Sequence, residues 1–303
     1  MRFELTILGS NSAIPAHGRH PSAQILNVNE TLYLIDCGEG TQMQLNKYRI
    51  RKSKIKYILI SHLHGDHYFG LIGLITTMNL IGRTEPLYIY GPPALEQIID
   101  IQLDVSNLIL KYDLNFSPLN MQKPSRIIQN NDLKVEVIPL NHRIPCVGFI
   151  FKGNKQPRKY LPEVGLQYDI PVEAIPGIKN GKDFTTESGE VIPNKMLTAD
   201  PLPPKKFSYI TDTSYMESIL SKVQRSDLLY HEATFLDELA QRAKETFHTT
   251  AIQAATIAKK SRAKRLLIGH YSAKYKELDG LLSEARTVFP DTDLAIEGQR
   301  FEV

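Results

Sequence analysis

The chain has 303 residues, with 36 Lys and Arg against 33 Asp and Glu for a formal charge of +3, and is 42% hydrophobic and 23% charged. That composition is globular, with ample material for a core, and it excludes global disorder and a polybasic tail protein. Two cysteines, Cys37 and Cys146, cannot build a disulfide framework and offer no CxxC metal site. The opening MRFELTILGS places Glu4 inside its apolar stretch and does not read as a signal peptide. The most apolar window, 70–82, is interrupted by Thr76, Thr77 and Asn79 and falls short of the roughly 20 residues of a membrane span. A cytoplasmic protein with no membrane partner is expected.

Short apolar runs predict strands at 3–8, 32–35 and 57–60, and then at 87–90, 133–138 and 147–151. Further runs follow at 207–210, 228–230, 265–268 and 294–296. Leu133, Val135 and Val137 alternate with polar residues, as in a half-buried strand, whereas 32–35 and 57–60 are nearly continuous, as in strands covered on both faces. Between the strands, Leu71, Leu74, Ile75 and Met78 carry helical spacing. So do Ala251, Ala254, Ala255 and Ala258, and a third helix is expected over 278–288, closed by Pro290. Alternating strands and helices predict a layered α/β fold. The segment 153–204 breaks the rhythm, holding eight of the 18 prolines and five of the 18 glycines. Because a strand pattern resumes at Phe207, it reads as an insertion, either disordered or a functional projection, within one domain spanning 1–303.

The strongest chemical signal is Ser61-His62-Leu63-His64-Gly65-Asp66-His67, directly after a predicted strand. Three imidazoles and a carboxylate so close together would be unfavourable without a compensating cation, and these donors suit a borderline divalent ion such as zinc. His62 and His64 point together from an extended stretch, while Asp66 and His67, just past Gly65, can turn toward a second ion. One ion needs about four ligands. His142, Asp212 and His270 each follow a predicted strand as His62 does, so one rim of an α/β sheet would collect all seven.

HxHxDH after a strand resembles the metallo-β-lactamase superfamily, whose fold is an αββα sandwich. Within it, the chain is similar to the ribonuclease Z family over stretches spread along its length. They include 8–23, 34–45 with DCGEGTQ, 58–74, 140–149, 210–215, 228–235 with HEAT, 247–255 with FHTT, and 266–275. The resemblance implies a hydrolytic site with two zinc ions. His62, His64 and His142 would hold the first; Asp66, His67 and His270 would hold the second; Asp212 would bridge both. Such ions supply hydroxide near neutral pH. The resemblance further implies an endonuclease that cuts precursor tRNA on the 3′ side of the discriminator, leaving a 3′-hydroxyl on the tRNA and a 5′-phosphate on the trailer. In it Asp66 would act as base. His248, at a predicted helix start, is the candidate acid, with Glu232 as the partner that orients or charges its ring. Asp36, at the end of its strand, reads as a structural carboxylate, His231 as a packing or hydrogen-bonding residue, and His17 and His20 as loop residues or weak RNA contacts.

Six of the ten residues from 47 to 56 are basic, among them Lys47, Arg49 and Arg51, and a second basic cluster runs from Lys259 to Arg265. Solvated surface is the plain reading of such runs, but phosphate neutralisation dominates nucleic-acid affinity, so a tRNA substrate favours RNA contact. The resemblance makes 153–204 a flexible arm that grips tRNA, with Lys179 and Lys182 as basic contacts, and implies a homodimer. A small-molecule phosphodiesterase or arylsulfatase-like hydrolase on the same scaffold is the alternative; it would need neither arm nor basic clusters.

Overall fold

The computed structural model describes residues 2–303. Two seven-stranded sheets frame it. The first contains β1 (Phe3–Gly9), β2 (Ala23–Val28), β3 (Thr31–Ile35), β4 (Ile55–Leu59), β5 (Leu87–Gly91) and β6 (Leu114–Pro118). The second contains β7 (Ser125–Gln129), β8 (Leu133–Leu140), β9 (Cys146–Gly153), β10 (Lys206–Ile210), β11 (Leu228–Glu232), β12 (Leu266–Gly269) and β13 (Thr292–Leu294). A last strand, β14 (Arg300–Glu302), returns to the first sheet and pairs with β1, giving the orders β14-β1-β2-β3-β4-β5-β6 and β13-β12-β11-β10-β9-β8-β7. Strands β3 to β6 are parallel neighbours, as are β10 to β13.

Strand alternation explains the layering. Tyr33, Ile35, Tyr57 and Leu59 of the first sheet meet Val135, Phe149, Phe207, Tyr209 and Tyr230 of the second in one central core. The intervening Leu32, Leu34, Ile58 and Ile60 face outward, onto helices Thr41–Lys47, Leu71–Leu80 and Ala94–Val105. On the far side, Ile210, Leu229, Leu266 and Ile268 pack under helices Ala251–Ser261 and Asp279–Val288. The result is the expected αββα sandwich. Because both faces of each sheet are covered, its central strands read in sequence as continuous apolar runs.

The sequence misses β2, β6, β7 and β14 as well as helices Thr41–Lys47, Ala94–Val105 and Ala240–Thr246. Strand β2 is buried along its length yet contains Gln24 and Asn27, whereas β6 and β7 are mostly exposed or half-buried edge segments. The expected strand at 294–296 lies two residues earlier.

Residues 153–204 form a compact unit of their own. It holds helices Pro162–Gln167 and Ile175–Lys179 and two small strand pairs, Lys159–Tyr160 with Thr198–Ala199 and Phe184–Thr185 with Val191–Ile192. Ile178, Ile192 and Leu197 make its core, packed by Tyr160, Val164 and Phe184. Strands of two residues and helices of five or six are too short to display an apolar period, hence the disordered look of the sequence. The unit carries six Lys and Arg against seven Asp and Glu, so any affinity for phosphate must come from local clustering.

Asp36 ends β3 in the left-handed region, at φ 55°, and is fully buried. Its Oδ1 accepts the Ser61 backbone N–H at 2.8 Å. Its Oδ2 accepts Ser61 Oγ–H at 3.0 Å, His67 Nδ1–H at 2.8 Å and the Tyr209 hydroxyl, from the opposite sheet, at 2.7 Å. Removing one buried donor from such a carboxylate costs about 1–3 kcal/mol. Tyr209→Phe is therefore expected to destabilise the protein by about 2 kcal/mol in urea unfolding, with an unchanged dependence on denaturant concentration. A loss below about 0.5 kcal/mol would mean that the inter-sheet bond contributes little.

Candidate metal centre

The C-terminal ends of five strands converge on one rim. The end of β4 leads into the segment from Ser61 to His67, and the end of β8 supplies His142. Asp212 follows β10, Glu232 is the last residue of β11, and His270 follows β12. His270 itself sits at φ 60°, a left-handed turn that swings its ring inward at a cost of about 1–2 kcal/mol.

The potential ligand atoms form two neighbouring groups, the atoms of each lying within 4.8 Å of one another: His62, His64, His142 and Asp212, and then Asp66, His67 and His270; Asp212, His248 and His270 form a third, overlapping combination. His64 Nδ1 lies 3.1 Å from Nε2 of both His62 and His142. Asp212 spans the groups. Its Oδ2 is 3.7 Å from the Nε2 atoms of His62 and His142, and its Oδ1 is 3.3 Å from Nε2 of His67 and 3.2 Å from Nε2 of His270. Asp66 Oδ2 lies 3.4 Å from Nε2 of both His67 and His270 and accepts the Ala13 backbone N–H at 2.8 Å.

What stands behind each ring decides which nitrogen faces the centre. His67 Nδ1–H is taken by Asp36, His62 Nδ1–H by Ser61 Oγ at 3.0 Å, His142 Nδ1–H by the Phe247 carbonyl at 3.0 Å and His270 Nδ1–H by Thr234 Oγ1 at 3.1 Å. The Phe247 carbonyl is placed by the left-handed end of helix Ala240–Thr246, where φ is 60°. All four rings thus turn Nε2 inward. His67 Nε2 is buried without a hydrogen-bond partner, an unsatisfied ring nitrogen of the kind that a metal ion takes up.

The electrostatics agree. Burial pushes the pKa of His62, His64 and His142 down, neighbouring His67 adding to the effect on His62, so these rings stay neutral and present lone pairs. Burial alone would favour protonated carboxyls, yet His67 and His270 hold Asp66 below the usual carboxylate range, and His270, His67 and His62 hold Asp212 well below it. Burial also opposes a proton on His67, but Asp66, Asp212 and Asp36 raise its pKa well above the ordinary value. That excess negative charge is what a bound cation would neutralise, displacing the proton. The donor set fits borderline divalent ions.

His248 stands beside both groups and has a different setting. Burial lowers its pKa, but the Glu232 carboxylate, 2.9 Å from Nδ1, raises it to about 9. Unlike His67, whose Nε2 lies among the carboxylates of Asp66 and Asp212, His248 is charged by an acid that stands behind it, an arrangement suited to giving a proton to a group in the cavity. Glu232 is fully buried and does not line the cavity, so any influence it has there passes through His248. Thr234 links the two systems, donating to Glu232 Oε2 at 2.8 Å while accepting from His270. The expected helix start is present as well: Thr250 caps helix Ala251–Ser261 in a reciprocal arrangement with Gln253.

The centre opens into a cavity of about 510 Å³, lined by residues 12–15, Glu39, Phe69 and Arg143 together with His64, Asp66, His142, Asp212, His248 and His270, while His62 and His67 lie buried behind it. Sequence reasoning missed Thr234, Ser61 and Tyr209, the residues behind the ligands, and Arg143 and Phe69 on the wall. Thr234 lies inside HEAT, so only the first letters of that motif were read; nothing in the sequence signals Tyr209. Lys47, Arg49, Arg51, Lys179 and Lys182 are all exposed. Much of the second basic cluster is paired instead: Lys260 with Glu217, Lys264 with Asp227 and Arg265 with Asp293. No helix among the described residues is long and apolar enough to cross a membrane.

In the metal-free protein, the His248 ring is expected to titrate near pH 9 by NMR, and Glu232→Gln to move that titration down, because the main contribution opposing burial is then lost and only Asp212 and Asp66 still favour the proton. An unmoved midpoint would assign the raised value to another source.

Comparison with known proteins places this geometry in a lineage. The family model described as "Anti-Pycsar protein Apyc1" matches residues 3–156. The ribonuclease Z of Parabacteroides distasonis is 45% identical over 301 residues, covering 99% of each chain. That of Porphyromonas gingivalis is 42% identical over 301 residues, again 99% of each. Among solved structures, human tRNase Z, short form (ELAC1), aligns with a TM-score of 0.70 at 27% identity over 98% of each chain. The metallo-β-lactamase fold protein YhfI of Bacillus subtilis shares the fold, with a TM-score of 0.70 at 20% identity and full coverage of both chains. With near-complete, high-identity matches on one side and a metallo-β-lactamase-type sandwich carrying a His/Asp cluster on the other, the chain belongs to the ribonuclease Z family.

Proposed function

We propose that the protein is a zinc-dependent endoribonuclease that cleaves precursor tRNA on the 3′ side of the discriminator. The reading rests on one observation: seven convergent donors beside a charged His248, in a chain that matches ribonuclease Z over 99% of its length. Two zinc ions would be held by His62, His64, His142 and Asp212 on one side and by Asp66, His67, His270 and the same Asp212 on the other. When bound they lower the pKa of a water toward 7 and stabilise negative charge on the reacting phosphate.

The chain's own residues handle the protons. Asp66, kept ionised by His67 and His270, takes the proton of the attacking water. The resulting hydroxide adds to phosphorus opposite the 3′ oxygen, whose bond to phosphorus breaks. His248 gives its proton to that oxygen, leaving a 3′-hydroxyl on the tRNA and a 5′-phosphate on the trailer. Glu232 keeps His248 charged up to about pH 9 in the metal-free protein, so the acid is loaded across the physiological range. Cations at the centre would lower that limit by repulsion.

Substrate binding is assigned to two places. Lys179 lines a pocket of about 330 Å³ within 153–204 together with Lys155 and with Arg158, whose guanidinium is paired with Asp200, so Lys155 and Lys179 carry the positive charge there. Lys182 is a further contact, and Lys47, Arg49 and Arg51 form a second phosphate-binding stretch. Lys52 and Lys54 of that run are engaged by Asn46 and Glu30. The enzyme would work as a homodimer in the cytoplasm, where its substrate is made.

The purified protein is expected to carry two zinc ions per chain and to make a single cut at the 3′ end of a precursor tRNA. His64→Ala should abolish both that cut and hydrolysis of bis(p-nitrophenyl) phosphate, with zinc lost. Hydrolysis of the small diester without a site-specific tRNA cut would sink the proposal.

Deletion of 155–200 should leave diester hydrolysis within about twofold while raising KM for precursor tRNA at least tenfold, through lost phosphate contacts. Equal loss on both substrates would refute the arm's role.

A further inference from the structure

We propose that Phe69 is the stacking platform for a nucleobase flanking the scissile bond; the inference deepens the ribonuclease reading and rests on it. Phe69 is 66% exposed, although large apolar side chains are normally buried, and it lines the cavity beside Asp66 and His64. Apart from the imidazoles, it is the one aromatic ring among the residues lining that cavity.

Its backbone is held from several sides. The Phe69 N–H donates to Gly65 O at 2.9 Å, and the next N–H, of Gly70, donates to Cys37 O at 2.9 Å. Gly70 is so close to Gly38 that a Cβ would stand 2.2 Å from the Gly38 carbonyl oxygen. The ring lies against Gly65, where a Cβ would be only 2.1 Å from Phe69 Cε2, and Tyr68 meets it edge-on at 5.0 Å between centroids. One side of the ring therefore rests on backbone that only glycine allows, and the ring remains mostly open to the cavity.

A rigid exposed aromatic face beside a phosphate-cleaving centre matches what single-stranded nucleic acid offers: a base next to each phosphate, with a π-face whatever its identity. Arg143 is the sole Lys or Arg lining the cavity and is exposed, so the wall also offers a positive charge for an adjacent phosphate. Ile14, 56% exposed on the same cavity lining, adds apolar surface. Stacking would orient the flanking nucleotide and so hold the scissile phosphate in register with Asp66 and His248.

The test pairs a protein change with a substrate change. Precursor tRNAs are prepared intact, or with an abasic site at the nucleotide on either side of the scissile bond, and cut by the wild type, Phe69→Leu and Phe69→Tyr. Phe69→Leu should lower kcat/KM on the intact precursor about tenfold with zinc content unchanged, and Phe69→Tyr should stay within about twofold of the wild type. At one of the two positions, base removal should cost the wild type about tenfold and Phe69→Leu less than about twofold, since the ring and the base act as one contact. If base removal costs both proteins equally at both positions, or if Phe69→Tyr fails as Phe69→Leu does, the platform is refuted. If the wild type does not cut the intact precursor, the ribonuclease reading itself falls and takes this inference with it.

Discussion

The buried carboxylate of Asp36 is the constraint on which the site depends. It sits where β3 of one sheet faces Tyr209 on β10 of the other, and its two oxygens take four donors. One of these is His67 Nδ1–H, so the carboxylate that ties the sheets together through Tyr209 also turns Nε2 of a proposed metal ligand toward the centre. Another is the backbone of Ser61, which fixes where the strand ends and the histidine segment begins. The left-handed backbone at Asp36 is a local cost of about 1–2 kcal/mol, offset by bonds that no other conformation would bring together.

The second sheet repeats the arrangement with Glu232. It is buried at the end of β11, accepts the backbone N–H groups of Thr213 and Thr234 at 3.1 Å each, and holds His248 in place. Thr234 passes this ordering on to His270. One buried acid thus stands behind the His67 side of the centre and another behind the His248 side, each surrounded by donors rather than exposed to substrate. Such outer partners orient ligands and tune their basicity, so the geometry of the rim is decided one layer further in.

Legibility in the sequence followed physical locality. His62, His64, Asp66 and His67 lie within six positions, so their convergence could be read directly; His142, Asp212 and His270 were legible because each follows an apolar run. The role of Glu232 was read as a partnership with His248, but its burial and its distance from the cavity depend on β11 lying inside the second sheet. Strand β2 was missed because Gln24 and Asn27 interrupt its apolar pattern, and the burial of Gln24, whose Oε1 has no hydrogen-bond partner, is imposed by the packing around the strand. The segment 153–204 looked formless because its elements are too short to show a period, although three apolar side chains suffice to give it a core.

By itself the sequence determined the layered α/β class, the family, and the identity of seven donors with their attachment to strand ends, because these follow from composition, short-range spacing and motif. Only the tertiary structure decided that Asp212 faces both donor groups, that His67 leaves a buried nitrogen unsatisfied, and that His248 is kept charged by Glu232. Each of those depends on atoms brought within about 4 Å from strands far apart in the chain, and at that range burial and Coulomb interactions override the properties a residue has alone.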